Sequence, residues 1–243
     1  MKKWLFGMAL LVVPLLITAQ EQKDSTQQAK QNGKAARLEI SDKNWDFGFI
    51  PRGAKVTHNF LVKNIGNDTL KITNVRKTCG CTTAPIHRDV LLPGDTTTLE
   101  VTFNSGSYQG PVSKVVYVES NDPIQPFMDI GFSATIAVPA NQLTFDPLMV
   151  NFDTVRAVPT KAILKVTNMD SNSVSFSVLE APAGFADLKA KRKKLSAGKE
   201  TELEVNLKNP PAGEFNTSFT LVCNDAKKTR YTIPIHGFYT QPK

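Results

Sequence analysis

The sequence predicts an all-β protein of two tandem immunoglobulin-like β-sandwich domains, and three observations carry that prediction. The first is a period of two: Val56, His58, Phe60 and Val62 alternate with Thr57, Asn59, Leu61 and Lys63, and Leu99, Val101 and Phe103 alternate with Thr98, Glu100 and Thr102. Alternation over such short runs marks half-buried antiparallel strands. The second is punctuation by turn residues, at Asn64-Ile65-Gly66-Asn67-Asp68, Pro93-Gly94-Asp95, Asn121-Asp122-Pro123, Ala197-Gly198 and Pro211-Ala212-Gly213, with no helical stripe between them. About seven short strands per hundred residues is the density of an immunoglobulin-type sandwich.

The third observation is an internal repeat. When Trp45–Val75 is laid over Val150–Val178, Phe47 falls on Phe152, Phe60 on Leu164, Val62 on Val166 and Asn64 on Asn168. Further along, "LLPGDTTTLEVTF" (Leu91–Phe103) matches "LSAGKETELEVNL" (Leu195–Leu207), and "ESND" (Glu119–Asp122) matches "VCND" (Val222–Asp225). The near-constant offset divides the folded part into domains at 38–138 and 139–243, joined around Val138-Pro139-Ala140 with almost no linker. Neither copy has the facing cysteine pair of antibody domains, so both cores are expected to hold by packing.

The chain opens with Lys2 and Lys3, an apolar run from Trp4 to Ile17, and small residues ending at Ala19. This reads as a signal peptide, 1–19, cleaved after Ala19. The run falls short of the about 20 apolar residues of a membrane span, and no transmembrane helix is expected in the mature chain. Residues 20–37, "QEQKDSTQQAKQNGKAAR", are too polar to order themselves and form a flexible leader. The expected location is therefore the periplasm or the exterior of the cell, where thiols can remain oxidised.

Charge is unevenly divided. Leu38–Val138 holds nine Lys and Arg against ten Asp and Glu, whereas Pro139–Lys243 holds fourteen against ten, with the excess in "KAKRKK" (Lys189–Lys194). The run lacks the interleaved aromatics that stack bases, so nucleic acid is not an expected partner. It reads as a solvated loop, with an anionic envelope polymer as the functional alternative.

Three cysteines remain: Cys79, Cys81 and Cys223. Cys79 and Cys81 flank Gly80. On an extended strand they would share a face with Cα atoms near the upper limit for a disulfide, and Gly80 permits a positive-φ turn that brings them closer. Several chemistries are open to the pair: a local disulfide or inert thiols, a redox-active dithiol, a soft-metal site helped by His58 or His87, or a bridge to another chain. One C-x-C with scattered histidines lacks the two separated pairs of a zinc signature, so no metal or cofactor is assigned. His58 shares the parity of Phe60 and reads as a packed, hydrogen-bonded residue at a sandwich edge. His87 reads as exposed, and Cys223 as a small buried residue on an inner face.

The residues Phe47-Gly48, His58-x-Phe60, Asn64-Ile65-Gly66, Cys79-Gly80-Cys81-Thr82, Pro93-Gly94, Gly110 with Lys114, and Asn121-Asp122-Pro123 together resemble the family of exported bacterial proteins described as domain of unknown function 1573. The resemblance covers about Arg37–Val138. It implies an immunoglobulin-like sandwich akin to modules of cilia and sperm proteins, and an exported location, and it implies no reaction. The second copy departs from the pattern: Phe152-Asp153 replaces Phe47-Gly48, no histidine follows, and "APAGFADLKAKRKKL" (Ala181–Leu195) stands in place of the C-G-C-T element.

No nucleophile elbow, metalloprotease helix or phosphate-binding loop is present, and no catalytic residues are assigned. The expectation is an exported, non-catalytic binding or structural module of the bacterial cell envelope whose partner is a protein or an envelope glycan. The alternative is a thiol-redox or soft-metal carrier working through Cys79 and Cys81.

Overall fold

The computed structural model describes residues 33–137, 142–182 and 184–241. The expected signal peptide, the expected leader as far as Asn32 and the junction at Val138-Pro139-Ala140 lie outside the described residues. The first copy supplies β1 (Leu38–Ile40), β2 (Asn44–Ile50), β3 (Lys55–Asn64), β4 (Leu70–Lys77), β5 (Thr82–Thr83), β6 (Val90–Leu91), β7 (Thr96–Asn104), β8 (Gly110–Ser120) and β9 (Phe127–Ile136). The second supplies β10 (Leu143–Asp146), β11 (Val150–Val155), β12 (Thr160–Asn168), β13 (Val174–Glu180), β14 (Ala186–Ala190), β15 (Lys194–Leu195), β16 (Glu200–Leu207), β17 (Gly213–Cys223) and β18 (Arg230–Tyr239). The excess over the expected seven strands per copy comes from elements such as β5 and β6, of two residues each, too short for alternation to reveal.

The repeat extends to topology. One sheet of the first copy runs β1-β3-β7-β5, and its counterpart in the second runs β10-β12-β16-β14. Phe47, Phe60, Leu99, Phe103 and Ile130 fill the first core, and Leu164, Leu203, Phe219, Leu221 and Ile233 the second. The alternation predicted for β7 appears as inward apolar residues between half-exposed polar ones, and the same pattern recurs in β16.

Two polar residues recur with the fold. Asn64 Nδ2 donates to the carbonyls of Asp68 at 2.8 Å and Leu91 at 3.0 Å, and Asn168 Nδ2 donates to those of Asn172 and Leu195 at the same distances. Both amides are fully buried and clasp a turn to a short strand further along the chain, β6 in the first copy and β15 in the second, which gives the N-x-G element a structural duty. Asp122 is the second: its carboxylate accepts from the backbone N–H groups of Leu38, Ile124 and Gln125. Burial, the largest influence on this carboxyl, pushes it up, but those donors and the nearby Arg37 outweigh it and hold the group below its ordinary range.

The folded part begins before Leu38. Ala36 is buried, Ala35 donates its N–H to Asn67 Oδ1 at 2.7 Å, and the Arg37 carbonyl accepts from Ile65. The three residues before β1, assigned to the leader from composition, are thus tied to the Asn64–Asp68 turn.

The remaining strands of both copies form one sheet, β15-β13-β17-β18-β2-β9-β8-β4-β6, with β11 also on β18. In the first copy β2 runs parallel to β9, and in the second β11 runs parallel to β18. Because β11 covers only Ile235–Tyr239 of β18, the edge near Tyr231 is open and β2 pairs there, Phe49 opposite Tyr231. An open strand edge is a liability that proteins cover, and here one copy covers the other. The copies, joined with almost no linker, are thus coupled by a shared sheet, and residues 33–243 form one compact unit.

Candidate functional site: the junction cleft and the C-G-C turn

The junction accounts for two departures of the second copy from the first. Both β2 and β11 carry a bulge, between Asp46 and Phe49 and between Asn151 and Thr154. Gly48 sits in the first at φ 67° and Asp153 in the second at φ 46°. Aspartate tolerates this left-handed conformation, so glycine is not needed for the bulge alone. The first copy needs it because the second packs there: a Cβ on Gly48 would lie 2.1 Å from the Arg230 carbonyl oxygen. Among the described residues nothing docks on exposed Asp153 in this way, and a side chain is allowed.

His58 follows the same logic. Its ring stacks on Trp45 with centroids 3.8 Å apart and meets Phe60 edge-on at 4.5 Å. Nδ1 donates to the Glu180 carboxylate, 2.8 Å from Oε1 and 2.9 Å from Oε2. Glu180 belongs to the second copy, so His58 is packed and hydrogen-bonded as its parity predicts, at the junction instead of a free edge. Arg230 completes the stack, with its guanidinium 4.9 Å from the Trp45 ring centroid and Nη1 donating to the Asp46 carbonyl at 3.0 Å. The position aligned with His58 is Ala162, which has no ring or hydrogen-bonding group for such a contact. Nearby, Ser218 Oγ accepts from the Thr57 N–H at 2.9 Å and donates to the Thr57 carbonyl at 3.1 Å, closing the edge of β3 where β1 does not reach.

Beside this contact the copies enclose a cleft of about 460 Å³, with Lys55, Cys81, Thr83 and Glu100 from the first and Phe185, Glu214 and Asn216 from the second among its lining. The floor is the outward face of β5 and β7; the opposite wall is the segment entering β14 and the start of β17.

The C-G-C turn forms one rim. Cys79 and Cys81 are joined as a disulfide with Cα atoms 5.2 Å apart, well inside the permitted range. Gly80 does not take the expected positive φ; the turn closes in ordinary backbone, and the space above Gly80 is open. The turn is anchored beyond Cys81 by pairing of buried Thr82 with Phe103, and by the Asn104 N–H donating to the Cys81 carbonyl at 2.9 Å. Two side chains not singled out for this site converge on it. Tyr108 Oη donates to Cys81 Sγ at 3.7 Å, and Lys114 Nζ donates to Tyr108 Oη at 3.2 Å while lying 4.7 Å from the centre of that ring. Lys114 carried a sequence signal as part of the Gly110 element; Tyr108, in the loop before it, carried none.

The other candidates lie apart. His87 is exposed. Cys223 is buried in the second core, where burial, helped by Asp225, pushes its thiol up to about 12. Among the described residues no three His, Cys, Asp or Glu side chains are grouped to hold a metal ion, and no helix is long and apolar enough to cross a membrane. The basic run is not wholly a loop: it ends β14 and opens β15. Lys191 pairs with Glu202, Lys189 lies opposite Glu204, and Lys161 approaches Glu204 at 3.6 Å. Among the described residues, an ion pair to β16 therefore meets one charge of the run, that of Lys191.

No curated protein sequence matches this chain. Among solved structures, a protein of unknown function from Porphyromonas gingivalis W83 is similar at 14% identity and a TM-score of 0.36, over 83% of this chain and 99% of that one. PapD-like domain 7 of human CEP192 is similar at 14% identity and a TM-score of 0.35, over 42% and 87%. The YadV chaperone is similar at 17% identity and a TM-score of 0.33, over 81% and 98%. Residues 141–237 match the family described as HYDIN/CFA65/VesB-like, Ig-like domain. Residues 38–136, which hold the C-G-C turn, Lys114 and the junction residues Gly48 and His58, match the family described as protein of unknown function (DUF1573).

Proposed function

We propose that this protein is an exported, non-catalytic binding module of the bacterial cell envelope, and that the cleft between its two domains receives the partner. The observation that carries the reading is the shared sheet. By pairing β2 with β18 and locking Gly48 against Arg230, the chain holds two sandwiches at one angle, and a cleft lined from both sides keeps its shape. A preformed site binds without the cost of ordering itself. Lys55, Glu100, Glu214 and Asn216 beside the Phe185 ring suit an extended ligand rich in hydrogen-bonding groups, either an envelope glycan or a protein segment. The charged and apolar succession ending at Ala19 supports export.

A photo-cross-linking residue placed at Thr83 or Asn216 in the native host tests the reading. Both positions should capture the same partner, and one placed at Lys161, on the outer face of β12, should not. Capture from Lys161 alone, or from none of the three, would refute it. The protein recovered from that host should begin near Gln20.

A further inference from the structure

We infer that the Cys79–Cys81 disulfide is a thiol-exchange site with a fixed polarity: thiols attack Cys79, and Cys81 is the leaving sulfur, stabilised by Tyr108 and Lys114. In thiol–disulfide exchange the departing sulfur acquires negative charge, and exchange quickens as its thiolate becomes more stable. Tyr108 Oη donates to Cys81 Sγ, and the Lys114 ammonium donates in turn to Tyr108 Oη. A cation that holds the phenol oxygen as an acceptor directs its only proton to the sulfur. The Thr82 hydroxyl lies 3.4 Å from Cys79 Sγ and 3.9 Å from Cys81 Sγ and can serve either. The Lys114–Tyr108 pair reaches Cys81 alone, and this asymmetry sets the direction.

The turn is open to an attacking thiol. Both cysteines are half-buried, Gly80 between them is exposed, and nothing stands within 4 Å of the Cβ position on Gly80. Lys55, Glu100 and Glu214 line the same cleft as Cys81. Lys55 pairs with Glu214 at 3.7 Å, Glu100 opposes a thiolate, and Tyr108, backed by Lys114, is the donor in direct contact with Cys81. The ring closed by residues two apart is small, and such bonds are more readily reduced than structural ones.

The step balances as follows. A thiolate forms a bond to Cys79 Sγ, the Cys79–Cys81 bond breaks, and its electron pair passes to Cys81 Sγ. A second thiolate of the same substrate then attacks the substrate sulfur of the mixed disulfide, releasing Cys79 as a thiolate that takes a proton from water. Two thiols are oxidised to one disulfide, and the protein disulfide is reduced to two thiols.

Reduced glutathione is the probe. On acid quenching and peptide mapping, the mixed disulfide of the full chain should carry glutathione on Cys79. The Tyr108→Phe and Lys114→Met variants, with melting temperatures unchanged, should each reduce about threefold more slowly, because a change of roughly one unit in leaving-group pKa is felt only in part by the exchange rate. In the reduced Cys79→Ser variant, iodoacetamide should alkylate Cys81 with a midpoint below the ordinary thiol value of about 8.5, and adding Lys114→Met should raise that midpoint. Cys223, buried with its thiol pushed up to about 12, gives no background. Glutathione recovered on Cys81, or equal reduction rates in all three proteins, would overturn the inference.

Discussion

The imidazole of His58 and the carboxylate of Glu180 meet at 2.8 Å across the boundary between the two domains. Each is the other's partner in a largely buried place, and the His58 ring is also the face on which Trp45 stacks. Truncating either leaves a polar group without its partner, at a cost of about 1–3 kcal/mol, and His58→Ala adds a cavity beneath Trp45. A double-mutant cycle with His58→Ala and Glu180→Ala, followed by urea unfolding, should give a coupling of about 1–2 kcal/mol. Additive losses would mean that the contact contributes nothing to the junction.

Gly48 and Asp153 provide a matched pair of substitutions. At Gly48, alanine meets both the left-handed conformation, worth about 1–2 kcal/mol, and a contact of 2.1 Å with the Arg230 backbone. The clash cannot be relieved without parting β2 from β18. Gly48→Ala should therefore lower stability by about 2–4 kcal/mol and broaden or split the melting transition as the domains uncouple. Asp153→Gly occupies the same bulge position in the other copy and should change stability by less than about 1 kcal/mol. Similar losses at both sites would show that the bulge, and not the docking, demands glycine.

That contrast also shows where the sequence was legible. Alternation in β3 and β7, and the repeat that carries it onto β12 and β16 with Asn64 on Asn168, identified the sandwiches, because within a copy each pattern residue faces a core built from nearby chain. The shared sheet was not legible, since β2 meets β18 some 180 residues away through backbone groups that any side chains could supply. Its trace lay in what the second copy lacks, the glycine at 48 and the histidine at 58, which read as motif loss until the docking surface was in view. The cysteine pair was visible at once. Its polarity was not, because Tyr108 lies 27 residues from Cys81 in a loop without period.

Asp122 should make stability depend on acid. Its folded carboxyl lies below the ordinary value of 3.8, as does that of Asp225, which burial pushes up and donation from Thr229 and Gln142 outweighs. A depressed carboxyl stabilises the fold above its unfolded value, and that contribution is lost as pH falls through the folded one. Unfolding free energy should accordingly decline below about pH 4. Asp122→Ala, which strands three backbone donors, should cost about 2–3 kcal/mol at neutral pH and flatten the acid decline. A variant with the full wild-type slope would exclude Asp122 as its source.

The cysteines separate stability from reactivity. A disulfide stabilises by closing a loop in the unfolded chain, roughly 3 kcal/mol for fifteen residues, and the Cys79–Cys81 link spans a separation of only two. Replacing both with serine should leave the melting temperature within about 2 °C of wild type, since in a chain of this size about 1 kcal/mol shifts it by roughly 2–4 °C. The Thr82–Phe103 pairing holds the turn in place without the bond. Cys223 should behave in the opposite way. With its thiol pushed up to about 12 in the second core, it should resist Ellman's reagent at pH 8 in the native protein and react once per chain in denaturant. Thiol counting on the air-oxidised protein should thus give zero native and one denatured, rising to two native after mild reduction. A native count of one before reduction would place Cys223 at the surface, and a drop of several kcal/mol in the double serine variant would make the C-G-C link a structural staple.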